Sequence, residues 1–207
     1  MSMNLRGLVA ICALGAASLL SVASADAKVF YVSGSSTRTT GGTSCTDALS
    51  VAWFNNTSSW GTASHQISAG TTVYLCGTFQ GTAGEELLIA HGSGAAGNPI
   101  TIKFMPGAIL TAPYWSGNGA IHLDYQSHIV VDGGTNGIIQ NTANGTGRSY
   151  HQSSVAVHAA QCTSCTVQNL IIQNLYVRTS ATDTAPNHSI NCVYWHLANG
   201  KIGRAHV

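Results

Sequence analysis

His122 and Asp124 stand two residues apart in "AIHLD". Side chains of an extended strand alternate between faces, so these two share one face while Ile121 and Leu123 share the other. His158 occupies the corresponding face of "SVAVHAA". If the two strands are equivalent parts of a repeating stack, with Val155 aligned on Ile121, His158 falls in the column of Asp124. Neighbouring strands lie about 4.8 Å apart, within hydrogen-bond reach for such a pair. A carboxylate that holds an imidazole is an acid–base unit; the same pair is also a routine surface contact. His122, Asp124, His158 and the more distant Arg178 are the catalytic candidates. Arg148, Tyr150, His151 and His188 lie with Arg178 in two long polar loops, "TANGTGRSYHQS" and "RTSATDTAPNHS", and are the substrate-binding candidates.

The elements that would position these residues are short strands. "TTVYLCGTF", "ITIKF", "AIHLD", "HIVVDGG", "SVAVHAA", "CTVQNLIIQN" and "SINCVYW" follow one another. Turn signals such as "GAAGNP", "MPG", "DGGTNG" and "NTANG" separate them. Two strand words recur. "GIIQN" and "LIIQN" place Ile138 and Ile171 33 positions apart, and Ile121, Val155 and Ile190 follow at steps of 34 and 35. A fixed period of this size marks a unit that buries its apolar face on its own copy. The expectation is an all-β parallel β-helix, in which Ile121, Val155 and Ile190 form one inward column and Ile138 and Ile171 another. Asn141 and Asn174 would then stand at equivalent corners, where their side chains can bond to one another or to the backbone as a ladder. Ahead of the coils, "TSCTDALSVAWFNN" (Thr43–Asn56) predicts a capping helix, with Thr43 or Ser44 as N-cap and Asp47 in the first turn.

"ISAGTTVYLCGTF", "GAAGNPITIKFMPGAIL", "SHIVVDGGTNGIIQN" and "CTVQNLIIQNLYV" resemble the N-terminal coils of secreted proteins of the pectin-lyase-like superfamily. The resemblance runs from about Val29 to Gly200 and implies a right-handed parallel β-helix. It implies action on extracellular polysaccharide, as a polysaccharide lyase or a glycoside hydrolase, or else non-catalytic carbohydrate binding. Members that cleave pectate use calcium held by several carboxylates, with a basic residue as proton abstractor. Here the mature acids are Asp47, Glu85, Glu86, Asp124, Asp132 and Asp183, with Asp26 at the margin. Of these, only Asp124 and Asp132 are read into repeating coils, so neither a calcium-ligand cluster nor the paired carboxylates of a hydrolase is legible.

Charged residues make up 7% of the chain and its net charge is +1. That argues against a nucleic-acid partner, which requires a basic face. Residues 1–27 read as a secretory signal: Arg6, an apolar run from Leu8 to Val22, and small-residue cleavage sites after Ala25 or Ala27. The run is short for a membrane span. Export permits disulfides, and Cys45 at the cap is expected to join Cys76, whose outward parity follows from inward Val73 and Leu75. Cys162 and Cys165 form a lone CxxC with no second pair for zinc, which leaves turn and core filling or a local disulfide. Cys192 shares parity with Ile190 and reads as a buried stack residue. At the other end, Ile202–Val207 reads as a translated sequencing adapter. The coil segment is therefore set at 28–201, cut at its C-terminal end, and 202–207 as not native. The complete protein is expected to be a monomer.

Overall fold

The structure is a computed structural model that describes residues 27–180, 182–183, 190–196, 201–202 and 205–206. In chain order its elements are β1 (Val29–Ser33), β2 (Leu49–Ser50), a single helical turn α1 (Val51–Phe54), β3 (Thr72–Cys76), β4 (Thr78–Gln80), β5 (Leu88–Ile89), β6 (Ile100–Phe104), β7 (Ile109–Ala112), β8 (Ile121–His122), β9 (Ile129–Asp132), β10 (Ile138–Asn141), β11 (Ser154–Ala160), β12 (Thr166–Gln168), β13 (Leu170–Gln173), β14 (Ile190–His196), β15 (Lys201–Ile202) and β16 (Ala205–His206). From β3 onward, three successive strands go to three different sheets and the fourth returns to the first. The first sheet has the order β15-β12-β9-β6-β3-β1-β2, the second β16-β13-β10-β7-β4 and the third β14-β11-β8-β5. All pairings between these strands are parallel. The remainder of each turn serves as the crossover that parallel strands require. The result is a parallel β-helix.

Alternation within each strand becomes columns along the stack. On the first sheet Phe30, Val73, Ile102, Val131 and Val167 are successive partners. On the second the inward column is Phe79, Leu110, Ile139 and Ile172, and on the third it begins Leu88, Ile121, Val157. All of these residues are buried and belong to one continuous core. Each side chain of this size contributes about 1.5–3 kcal/mol on burial, and a single coil has no partner for that surface, so stacking is obligatory. The bend between first and second sheets is a single left-handed residue at two of the corners. Gly77 takes φ 71° between β3 and β4, and Asn169 takes φ 54° between β12 and β13.

Three expectations need correction. Ile121 pairs with Val157, two residues beyond Val155, and Ile190 pairs with Ser154. Ile121 and Val155 are both buried but are not partners, and Ile190, opposite Ser154, is half-buried against the core. Ile138 does pair with Ile171, yet both are half-buried on the outer side, and their neighbours Ile139 and Ile172 point inward. Asn141 and Asn174 do not bond to one another, although Asn141 does bond to the backbone of the next coil. Asn141 is buried and donates to Ser154 Oγ (2.7 Å) and to the Leu175 carbonyl (2.8 Å), whereas Asn174 turns the corner at φ 56°. The ladder is one residue earlier, Gln173 Nε2 to Gln140 Oε1 at 2.8 Å.

The cap is also smaller than its sequence pattern. Cys45–Asp47 is one 3-10 turn, and Leu49–Ser50 extends along Val32–Ser33 as β2. Sheet pairing at Leu49 thus overrides the helical spacing. Ser50, not Thr43 or Ser44, caps α1 by accepting from Trp53 N at 3.1 Å, and Asp47 pairs with Arg38 at 3.0 Å. Trp53 and Phe54 close the core at this end. Cys45 is bonded to Cys76, with Cα atoms 5.6 Å apart, and Cys162 to Cys165 at 5.9 Å. Cys192 is free and half-buried. Among the described residues, no helix is long and apolar enough to cross a membrane.

Candidate functional site

The third sheet carries an outward column of polar rings. Ile89, His122, His158 and Tyr194 are successive partners on β5, β8, β11 and β14. The His158 ring lies flat on Tyr194, with centroids 4.6 Å apart and planes within 6°, and meets the His122 ring edge-on at 5.7 Å. Asp124 enters from the turn after β8. Its Oδ1 accepts from His158 Nδ1 at 2.7 Å and from the Ala160 backbone N–H at 2.8 Å. The expected Asp124–His158 contact therefore exists, but it is diagonal. His158 stands opposite His122, and Ala160 occupies the place opposite Asp124.

A second carboxylate completes the group. Glu86, at the entry to β5, holds His122 Nδ1 at 2.8 Å through Oε2 and accepts from Asn118 Nδ2 at 2.7 Å through Oε1. The other ring nitrogen, His122 Nε2, lies 3.0 Å from Asp124 Oδ2. It is off-line for a hydrogen bond there and is buried without a partner. Glu86, His122, Asp124 and His158 thus form one chain, with side-chain exposures of 20%, 21%, 16% and 12%. Burial pulls the His122 imidazole toward its neutral form, but the hydrogen bond to Glu86 and the close carboxylates of Asp124 and Glu86 outweigh this and raise its pKa above the ordinary histidine value.

Sequence reading missed Glu86 because it lies in none of the alternating strand words, between "TTVYLCGTF" and "ITIKF". The signal was "EELLIA", an apolar word like "AIHLD" preceded by two acids. Asp132, the other coil acid, is structural. It accepts from Gly134 N (3.0 Å) and Asn169 Nδ2 (2.9 Å) and faces Lys103 Nζ at 3.7 Å.

The loop candidates gather elsewhere. Arg148 donates to the Thr142 carbonyl at 2.9 Å, Tyr150 packs on Tyr114 at 4.9 Å, and His151 Nδ1 meets Tyr176 Oη at 3.1 Å. Arg178 is exposed, and His188 lies outside the described residues. Among the described residues, no hydrogen bond or ring contact links these side chains to the cluster. The surface hollows at Trp53 and His65, at Trp60 and His91, and at Ser33 and Arg38 include none of its members either.

One atom each from His122, Asp124 and His158 fall within 4.8 Å of one another. Two imidazoles and one carboxylate do not suit calcium, which takes six to eight oxygen ligands. Calcium does not fit this group. Comparison of the chain with protein-family models finds no match, and neither does comparison with curated proteins or with solved structures. The fold assignment rests on strand register and burial.

Proposed function

We propose that the protein is secreted and acts on an extracellular polysaccharide through the Glu86–His122–Asp124–His158 cluster. The observation that carries this reading is the linkage itself: two imidazoles and two carboxylates joined on the outer face of a parallel β-stack, outside the three surface hollows named above. An open face of stacked strands suits an extended polymer, where a small ligand would need a pocket. The two disulfides favour an oxidising compartment, and the resemblance to pectin-lyase-like coils points to the same substrate class. Chemically, Asp124 fixes the His158 ring through Nδ1 and leaves Nε2 to take or give a proton. His122, whose pKa the two flanking carboxylates raise, offers a charged donor beside it when protonated. That combination serves proton abstraction next to a uronate carboxylate, the lyase reaction, or proton delivery to a glycosidic oxygen.

The test is incubation of the purified protein with uronic-acid and neutral polysaccharides. Release of unsaturated ultraviolet-absorbing ends or of reducing sugar is expected from the wild type, with loss of at least about a hundredfold in His158→Ala, the lower bound for removing an acid–base group. Binding to a polymer with no product supports the alternative, a non-catalytic carbohydrate-binding β-helix. That alternative is favoured by the engagement of both Glu86 oxygens in contacts within the protein. Neither binding nor turnover on any polymer would overturn both.

A further inference from the structure

We propose that His122, Asp124 and His158 form a binding site for a divalent transition-metal ion of the zinc class. The argument starts at His122. Its Nδ1 faces Glu86 Oε2 at 2.8 Å and donates its hydrogen there. Nε2 is then a lone pair, buried and without an aligned hydrogen bond, 3.0 Å from the carboxylate oxygen Asp124 Oδ2. Two electron pairs facing each other at that distance repel unless a positive charge lies between or beside them. A second ring proton supplies one such charge, but the missing alignment leaves that proton without a good acceptor. A metal ion bound by both atoms, and by His158, removes the conflict.

The donor set agrees. Imidazole with one carboxylate is the chemistry of zinc, nickel or copper. Nitrogen and oxygen bonds of about 2.1 Å place tetrahedral ligands roughly 3.4 Å apart. The present separations run from 2.7 Å between His158 Nδ1 and Asp124 Oδ1 to the 4.8 Å limit of the group, so small ring rotations reach it. The supports are those that metal ligands generally have. Glu86 fixes the His122 tautomer and is itself held by Asn118, the Ala160 N–H holds Asp124, and Tyr194 lies flat against His158. Three protein ligands on a solvent-facing sheet leave a coordination position open for water or a substrate oxygen. On binding, zinc displaces the Nδ1 proton of His158, which leaves to solvent.

The site shares its residues with the polysaccharide reading but does not depend on it. The experiment uses the purified full chain, stripped with a chelator and titrated calorimetrically with Zn²⁺, and with Co²⁺ followed by its visible absorption. One Zn²⁺ per chain is expected, with a Co²⁺ spectrum of four- or five-coordination and no competition from excess Ca²⁺. Asp124→Asn and His158→Ala should each lower affinity more than tenfold. Glu86→Gln, which touches no metal, should lower it about 10–100-fold through His122. Circular dichroism and melting without metal establish that each variant is folded. If the first two variants do not fold, Glu86→Gln decides. No saturable uptake by the wild type, or unchanged affinity in folded Asp124→Asn or in Glu86→Gln, overturns the proposal. Polymer turnover that survives complete chelation overturns the metal as a participant, whereas zinc uptake without action on any polymer removes only the polysaccharide reading.

Discussion

Replacing Asp124 by asparagine should destabilise the metal-free protein by about 1–2 kcal/mol, and the loss should be coupled to His158. Asp124 Oδ1 accepts two hydrogen bonds, from His158 Nδ1 at 2.7 Å and from Ala160 N at 2.8 Å, and its side chain is 16% exposed. A hydrogen bond to a charged group nets roughly 1.5–3 kcal/mol, and a neutral one about 0.5–1.5. Asparagine keeps an oxygen for Ala160 but offers no charge to the imidazole, so the difference between those ranges is what is lost. His158→Gln should cost about 2 kcal/mol, because it also gives up the flat contact with Tyr194, worth about 0.5–1.5 kcal/mol. Both single variants remove the same ion-assisted bond. The double variant should therefore fall short of their sum by about 1 kcal/mol. Urea denaturation of the four proteins in chelator, compared at unchanged m-value, measures this. An exposed pair would couple by only a few tenths. Additivity within about 0.3 kcal/mol would mean that Asp124 and His158 do not hold each other, and the cluster would lose its central link.

Asp132 gives a pH test away from the cluster. Burial would raise its pKa, but bonds from Asn169 and Gly134 and the charge of Lys103 outweigh this and hold it below the ordinary value of 3.8. Its contribution is therefore present above that value and disappears as pH falls through the depressed folded pKa. The stability gap between wild type and Asp132→Asn should be open at neutral pH and close in acid, read from denaturation midpoints; a gap that widens in acid would contradict the assignment. Two glycines separate crowding from backbone strain. A Cβ on Gly133 meets the Asn169 carbonyl and lies 2.6 Å from Leu170 Cα on the next coil, while one on Gly77 meets nothing within 4 Å. Gly133→Ala should cost about 3 kcal/mol or more through forced separation of the coils. Gly77→Ala should cost only about 1–2 kcal/mol for its left-handed φ. Equal melting temperatures for the two would refute the stacking contact.

What the sequence conveyed and what it hid have one physical cause. Face is decided by parity, and parity is local: Val73, Ile102, Ile121 and Leu123 point inward as their alternation requires. Partner is decided by register, and register depends on how many residues the corner loops absorb. Gln140 and Gln173 are 33 residues apart on the second sheet, while Asp124 and Ala160 on the third are 36 apart. The loop between Asn141 and Ser154 lengthens the step after the repeated word ends. The period of 33 read from "GIIQN" and "LIIQN" is correct for their own sheet and three short for the next, where the step of 34 from Ile121 to Val155 is short by two. An error of two keeps every side chain on its face, whereas an error of one would have moved His158 to the opposite face. For that reason His122, Asp124 and His158 were legible as neighbours even though their alignment was not. Glu86 was not legible, because it acts from a strand entry with no alternation to mark it. Its position two residues before the core residue Leu88 becomes informative only once Leu88 is known to pair with Ile121. The Cα partner of His122 is then Ile89, and a carboxylate three positions earlier can turn back along the coil to reach the imidazole. On a stack of this kind, a cluster should be sought by face first and by both neighbouring diagonals second, since an aspartate two residues along has reached its histidine here as effectively as a direct partner would.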